Sequence, residues 1–149
     1  MKLSKQGLNL IKEFEGFVAK PYLCPAGIPT IGYGSTRYLD GTKVSLRDPR
    51  ITKEQAEELL LNTLVSFETG VAKAVKVELE QNEYDALVSL CYNIGVGNFT
   101  SSTLVRLLND GEAPIDVAAQ FLRWNRANSR VIPGLTTRRE RERALFLEI

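Results

Sequence analysis

Apolar residues recur at helical spacing near the start of the chain. Leu8, Ile11 and Phe14 form a stripe over residues 4–14, behind Ser4, a residue type that caps helices. The pattern changes between residues 15 and 50. Pro21, Pro25, Gly27, Pro29, Gly32, Gly34, Gly41 and Pro49 interrupt any helix, while Phe17, Tyr22, Ile31, Tyr33 and Tyr38 favour strands, so a small antiparallel sheet is expected. Alternation places Thr30, Gly32 and Gly34 on one face of it and Ile31 and Tyr33 on the other. Glycines on a face let another backbone or a ligand approach. Thr52 with Gln55 three residues on forms a capping box, and Ala56, Leu59, Leu60, Thr63 and Phe67 continue at helical spacing. They predict a long helix over residues 52–76, which Gly70 bends or weakens. Further helices are expected over 82–93, stopped at Asn93-Ile94-Gly95, and over 101–109, stopped at Asp110-Gly111. Two more run from Pro114 to about Trp124 and from a second capping box, Thr137 with Glu140, to the C-terminus. The predicted class is α+β: a small antiparallel sheet lobe and a larger helical lobe joined by a long helix.

Composition narrows the chemistry. The 149 residues suffice for one compact domain or two small lobes, and 44% apolar with 25% charged residues is ordinary globular usage. A chain this long buries roughly 70% of its unfolded surface, so it needs neither disulfides nor metal to fold. With no histidine, His-based metal sites and His-dependent triads are excluded, and Cys24 and Cys91 cannot make a disulfide framework or a Cys-rich zinc site. No metal or other cofactor is expected. The net charge of +1 does not point to nucleic acid, and no apolar run is long enough for a membrane span. The opening residues lack the apolar stretch of a secretory signal, so accumulation in the cytoplasm with reduced thiols is expected.

Charge is uneven along the chain. Residues 77–122 carry one Arg against seven acidic residues, and residues 123–143 carry seven Arg against two Glu. The Arg-rich segment reads either as a solvated, salt-bridged face or as an attraction to an anionic polymer. The interleaving of Arg and Glu over residues 139–143 favours the solvated face for that part.

Glu15 stands where the first helix ends. A helix C-terminus disfavours a second negative charge, which raises a carboxyl pKa as a general acid requires, although Glu at a helix end is common. The segment from Tyr22 to Gly34 builds a tight hairpin, with Cys24 and Thr30 flanking its turn. Cys24 could equally be a small buried apolar residue. Cys91 lies among Ala86, Leu87, Leu90 and Ile94 and is read as core; a Cys24–Cys91 disulfide is not expected.

Glu15-Gly16, Tyr22, position 24 and Thr30-Ile31-Gly32-Tyr33-Gly34 together resemble the signature of the phage-type, T4-lysozyme-like endolysins of glycoside hydrolase family 24. In that family a Glu is followed nine residues later by Asp and six further on by Thr, and positions 15, 24 and 30 keep that spacing. The likeness continues in Tyr92-Asn93-Ile94-Gly95-Val96-Gly97-Asn98-Phe99, Ser102-Thr103-Leu104, Arg123-Trp124 and Pro133-Gly134-Leu135 followed by Arg138-Arg139. Two positions depart from it. The usual Asp is Cys24, similar to a subset of these endolysins, and the usual His after Gly-Tyr-Gly is Ser35.

The resemblance implies a single lysozyme-like domain over 1–149. Its N-terminal lobe spans about 12–51, its connecting helix about 52–76 and its helical lobe about 77–149, with the first helix (1–11) packing on the latter. It implies a muramidase that hydrolyses the β-1,4 bond between N-acetylmuramic acid and N-acetylglucosamine in peptidoglycan. Glu15 is then the general acid, and Cys24 with Thr30 positions or activates water. Cys24 could act as base, as nucleophile or as spectator. Thr36, Tyr92, Asn93 and Ser102 are the implied substrate-binding residues, with a packing role the alternative for Tyr92. Trp124 is read as core. Arg138 or Arg139 is implied to pair with Glu15. The implied setting is a monomeric phage endolysin, held in the host cytoplasm until a separate holin-type pore releases it onto periplasmic peptidoglycan. Two alternatives stand beside the muramidase: a lytic transglycosylase giving anhydro-sugar products, and a catalytically dead wall-binding module.

Overall fold

The computed structural model describes residues 1–148. In chain order the elements are α1 (Lys5–Glu15), β1 (Val18–Leu23), β2 (Pro29–Gly32), α2 (Lys53–Ala74), α3 (Gln81–Ile94), α4 (Val96–Thr100), α5 (Thr103–Asn109) and α6 (Pro114–Ala119). A 3₁₀ turn (Gln120–Arg123), the two-residue strands β3 (Arg126–Ala127) and β4 (Arg130–Val131), and α7 (Pro133–Phe146) follow. The class is α+β, as the pattern predicts. Two compact units emerge, Ile11–Val65 and Met1–Leu10 with Ser66–Ile149, and the boundary falls inside α1 and α2.

The smaller unit holds the hairpin. β1 and β2 pair antiparallel, Tyr22 opposite Thr30 and Leu23 opposite Pro29. The register slips between Val18 and Tyr22, a stretch that includes Pro21, which has no N–H for the ladder. Ile51 N–H donates to the Ala19 carbonyl there at 3.0 Å. Residues 30–33 are all buried, so the expected two-faced alternation is not seen. Ile31, Val44 and Leu59 form the local core, with Tyr38 and Ile51 against it. Gly32 explains the tight packing: it sits at φ +68°, and a Cβ there would lie 3.0 Å from the Ala56 Cβ of α2. The capping box forms as read, with Gln55 N donating to Thr52 Oγ1 at 3.1 Å and Thr52 N to Gln55 Oε1 at 2.9 Å.

The larger unit is helical around Leu87, Leu90, Phe99, Leu104, Phe121 and Phe146, with the Phe121 and Phe146 rings 5.6 Å apart. Ser4 caps as predicted, accepting from Gly7 N at 3.2 Å, and is itself held by Asp85 of α3. α2 runs on through Gly70, which makes room for a neighbour, since a Cβ there would lie 2.9 Å from Val96. The C-terminal helix begins at Pro133, not at Thr137. Proline is pre-set for a helix's first position, and Thr137 Oγ1 instead donates back to the Pro133 carbonyl at 3.2 Å. The expected helix from Pro114 to Trp124 tightens into the 3₁₀ turn after Ala119. Among the described residues no helix is long and apolar enough to cross a membrane.

Replacing Gly32 by Ala forces both a left-handed backbone and an overpacked contact with Ala56. It is expected to cost about 2–3 kcal/mol in urea unfolding. A cost below about 0.5 kcal/mol would show that the α2 contact gives way.

Candidate active site

Glu15 is the last residue of α1, half-buried, and the helix closes there through Gly16 N–H donating to the Lys12 carbonyl at 2.9 Å. Gly16, at φ +72°, lets the chain leave the helix and enter β1. Phe17 then packs on Tyr33 with ring centroids 5.7 Å apart. Lys12 lies over the Tyr33 ring and Lys53 over the Phe17 ring, at 5.4 and 5.8 Å. This cation–aromatic stack fixes the junction between Glu15 and the hairpin.

Cys24 and Thr30 flank the hairpin turn. Cys24 N–H donates to the Ile28 carbonyl at 3.1 Å, and Gly27 N–H to the Cys24 carbonyl at 2.8 Å. Thr30 is buried, and its hydroxyl donates to the Ile28 carbonyl at 2.8 Å. The Cys24 thiol is held below its ordinary pKa, first by the Ile28 backbone N–H and also by that of Ala26 and by the Thr30 hydroxyl. Thr30 has one hydroxyl proton, and while that proton serves Ile28 it gives nothing to sulfur, so the backbone donors are the steadier cause. The turn's backbone N–H groups are thus the main source of the lowered thiol pKa.

Tyr22 joins the group. Burial raises its phenol pKa first, and the negative fields of Glu15 and Cys24 add to that. One phenol thus senses both candidate reactive groups, in a single unit. Its role is not visible in the motif alone, because the pairing of Tyr22 with Thr30 follows from the hairpin register.

Thr36 is exposed on the same unit, walling a cavity of about 410 Å³ with Gly27, Ile28, Pro29, Arg37, Lys43 and Val44. Ser35 is buried and exchanges both backbone hydrogen bonds with Ile31 at 2.9 Å.

The remaining candidates lie in the larger unit. The half-buried Tyr92 ring meets Phe67 edge-on at 5.1 Å, the packing contact weighed for it. Asn93, near the end of α3, is exposed. Ser102 is buried and caps α5, its hydroxyl accepting from Val105 N at 3.2 Å and donating to the Phe99 carbonyl at 2.6 Å. It also walls a cavity of about 260 Å³ with Asn98, Gln120, Arg123 and Trp124. Trp124 is therefore half-buried beside a cavity and not in the core.

Arg138, Arg139 and Glu142 are buried, which corrects the reading of their run as a solvated face. Glu142 Oε2 accepts from Ser89 Oγ at 2.5 Å and from Arg138 Nε at 3.2 Å, and Arg139 Nε stands 3.2 Å from its other oxygen. Burial pushes the Glu142 carboxyl up, against the pull of the two guanidiniums, and pushes Arg139 down to about 10. Among the described residues no group of His, Cys, Asp or Glu could hold a metal ion.

Comparison with known proteins agrees on a family. The phage lysozyme family profile matches residues 12–142. The chain is 45% identical over 151 residues to an endolysin of Bacillus phage PZA, covering 98% of this chain and 55% of that protein. It is 43% identical over 150 residues to the endolysin of Salmonella phage P22, covering 99% of each. The chain thus spans about half the length of the Bacillus phage relatives it matches, and nearly all of the P22 protein. The structure is similar to an endolysin from Escherichia coli O157:H7 phage FAHEc1, with TM-score 0.91 and 41% identity over 99% of this chain and 94% of that one.

Cys24 should react selectively with iodoacetamide. Its rate should reach half-maximum below the pH of about 8.5 typical of a free thiol. Cys91, fully buried and pushed up to about 12 by desolvation, should stay unlabelled in the folded protein. Peptide mapping of the labelled protein checks this; equal labelling of both thiols would contradict it.

Proposed function

The chain belongs to the phage lysozyme family, and from that premise we propose that it is a muramidase, cleaving the β-1,4 bond between N-acetylmuramic acid and N-acetylglucosamine. The single observation that carries the reading is the arrangement in the smaller unit: Glu15 ends α1 and leads through Gly16 directly into the hairpin whose turn Cys24 and Thr30 flank, with Tyr22 paired opposite Thr30. A glycosidase needs an acid on one side of the scissile bond and, for inversion, a base on the other, roughly 6.5–9.5 Å away with water between.

Glu15 gives its proton to the leaving glycosidic oxygen as the C–O bond breaks. A water oxygen attacks the anomeric carbon from the opposite face, and its proton passes to the Cys24 thiolate. Thr30 orients that water through its hydroxyl. The product then carries a free reducing end of inverted configuration. A thiol of ordinary pKa is only a few per cent ionised at neutral pH, so the turn's N–H donors raise the active fraction. Thr36, Tyr92, Asn93 and Ser102 bind the glycan. In its biological setting the protein is a monomeric endolysin that gathers in the host cytoplasm and reaches the wall once a separate pore opens.

The substitution of Cys24 for a carboxylate favours one further reading, a lytic transglycosylase, which needs the acid but no water. The two differ in the mass of the fragments released from purified peptidoglycan. Hydrolysis leaves intact reducing ends; transglycosylation leaves fragments lighter by one water. Glu15→Gln should lower release on the order of 10³-fold. A Glu15→Gln variant as active as wild type would sink the proposal, and no release from either protein would mean a dead site.

For the base role, Cys24→Asp should stay active and Cys24→Ser should lose about 10²-fold in kcat. Full activity in Cys24→Ser would make the thiol a spectator.

A further inference from the structure

The buried guanidinium of Arg139 has a directed hydrogen bond that the reading above does not use. Its Nη2 donates to the Asn93 side-chain oxygen. Arginine has only donors, so the amide atom facing it must be Oδ1. Asn93 is exposed, which leaves Nδ2, with its two N–H donors, as the atom presented to solvent. The amide is therefore oriented from beneath.

What holds Arg139 is also visible. It is fully buried, three residues before the fully buried Glu142, with Nε 3.2 Å from the carboxylate. Glu142 is pinned in turn by Ser89 Oγ at 2.5 Å and Arg138 Nε at 3.2 Å, while Arg138 Nη2 reaches the Ser89 carbonyl at 3.2 Å. The cluster ties α7 to α3, the helix whose last turn carries Asn93. A buried ion cluster is a poor source of stability, but it fixes geometry well. A guanidinium donating to an amide oxygen also polarises the amide and strengthens its N–H donors.

We propose that Arg139, locked by Glu142, is a positioning residue that sets Asn93 to donate to an acceptor oxygen of the bound glycan strand. This rests on the peptidoglycan reading and adds the direction of the hydrogen bond and the residue that sets it. The acceptor belongs either to the sugar, as an N-acetyl carbonyl or hydroxyl, or to a stem-peptide carboxylate or carbonyl.

The test is Asn93→Asp. Aspartate still offers Arg139 an acceptor, and gains an ion pair, but presents an oxygen outward where Nδ2 was. The expected result is an unchanged or higher Tm, KM for soluble peptidoglycan fragments raised about tenfold, and kcat within about twofold of wild type. Arg139→Lys keeps the charge beside Glu142 but lacks the fork, and should raise KM similarly, with the double variant no worse than either. Fragments with and without stem peptides separate the two sources: a rise with both places the acceptor on the sugar, a rise only with peptides places it there. Dissociation constants from calorimetry read the same effect without turnover. Wild-type KM and affinity in Asn93→Asp, or additive effects in the double variant, would overturn the positioning role while leaving the hydrolase reading intact. If Arg139→Lys does not fold, Asn93→Asp alone decides. A wild type that neither cleaves nor binds any fragment overturns both.

Discussion

The chemistry proposed for this protein rests on how one hairpin turn satisfies its backbone. Between Cys24 and Ile28 the chain must reverse while its N–H and C=O groups find partners. It does so with Cys24 N to Ile28 O at 3.1 Å and Gly27 N to Cys24 O at 2.8 Å. The backbone N–H groups of Ile28 and Ala26 in that reversal lower the Cys24 thiol pKa. Thr30 is fixed by the same turn through the Ile28 carbonyl. Gly32 then allows the strand to lie against Ala56 of α2. The turn thus supplies part of the acidity that the proposed base role asks of a thiol.

The larger unit solves a different electrostatic problem. Glu142 is buried between two arginines, and none of the three faces solvent enough to be screened. Ser89 supplies a hydroxyl donor to Glu142 and Asn93 an acceptor to Arg139, while the contact between Arg139 Nε and the second Glu142 oxygen is an ion pair at 3.2 Å and not an aligned hydrogen bond. The arrangement costs desolvation and yields orientation, the property a binding surface needs at an exposed amide.

Local signals in the sequence were legible. The Thr52–Gln55 capping box, the Ser4 cap and the Pro114 helix start each depend on residues within a turn of one another, and each is found in the structure. Nonlocal features were not. α7 starts at Pro133 because proline competes successfully with the later Thr137 box. The short α4 was hidden by glycines at 95 and 97, and the β3–β4 hairpin turns on Asn128 and Ser129 at φ 51° and 65°, a conformation that Asn favours but Ser rarely adopts. Arg138 and Arg139 stand four and three residues before Glu142, a spacing equally at home on a wet surface, and only packing against α3 shows which ion pairs are dry. In the site, the spacing of Glu15, Cys24 and Thr30 was readable, whereas the source of the thiol's acidity and the place of Tyr22 required the hairpin register.

The most direct test of the central claim, that the Cys24–Thr30 turn activates water opposite Glu15, is the anomeric configuration of the newly formed reducing end. Proton NMR of a soluble peptidoglycan fragment, read before mutarotation, resolves it. The account predicts the inverted, α product. A retained β product would mean that Cys24 attacks the sugar itself, and an anhydro end would mean that no water is activated at all.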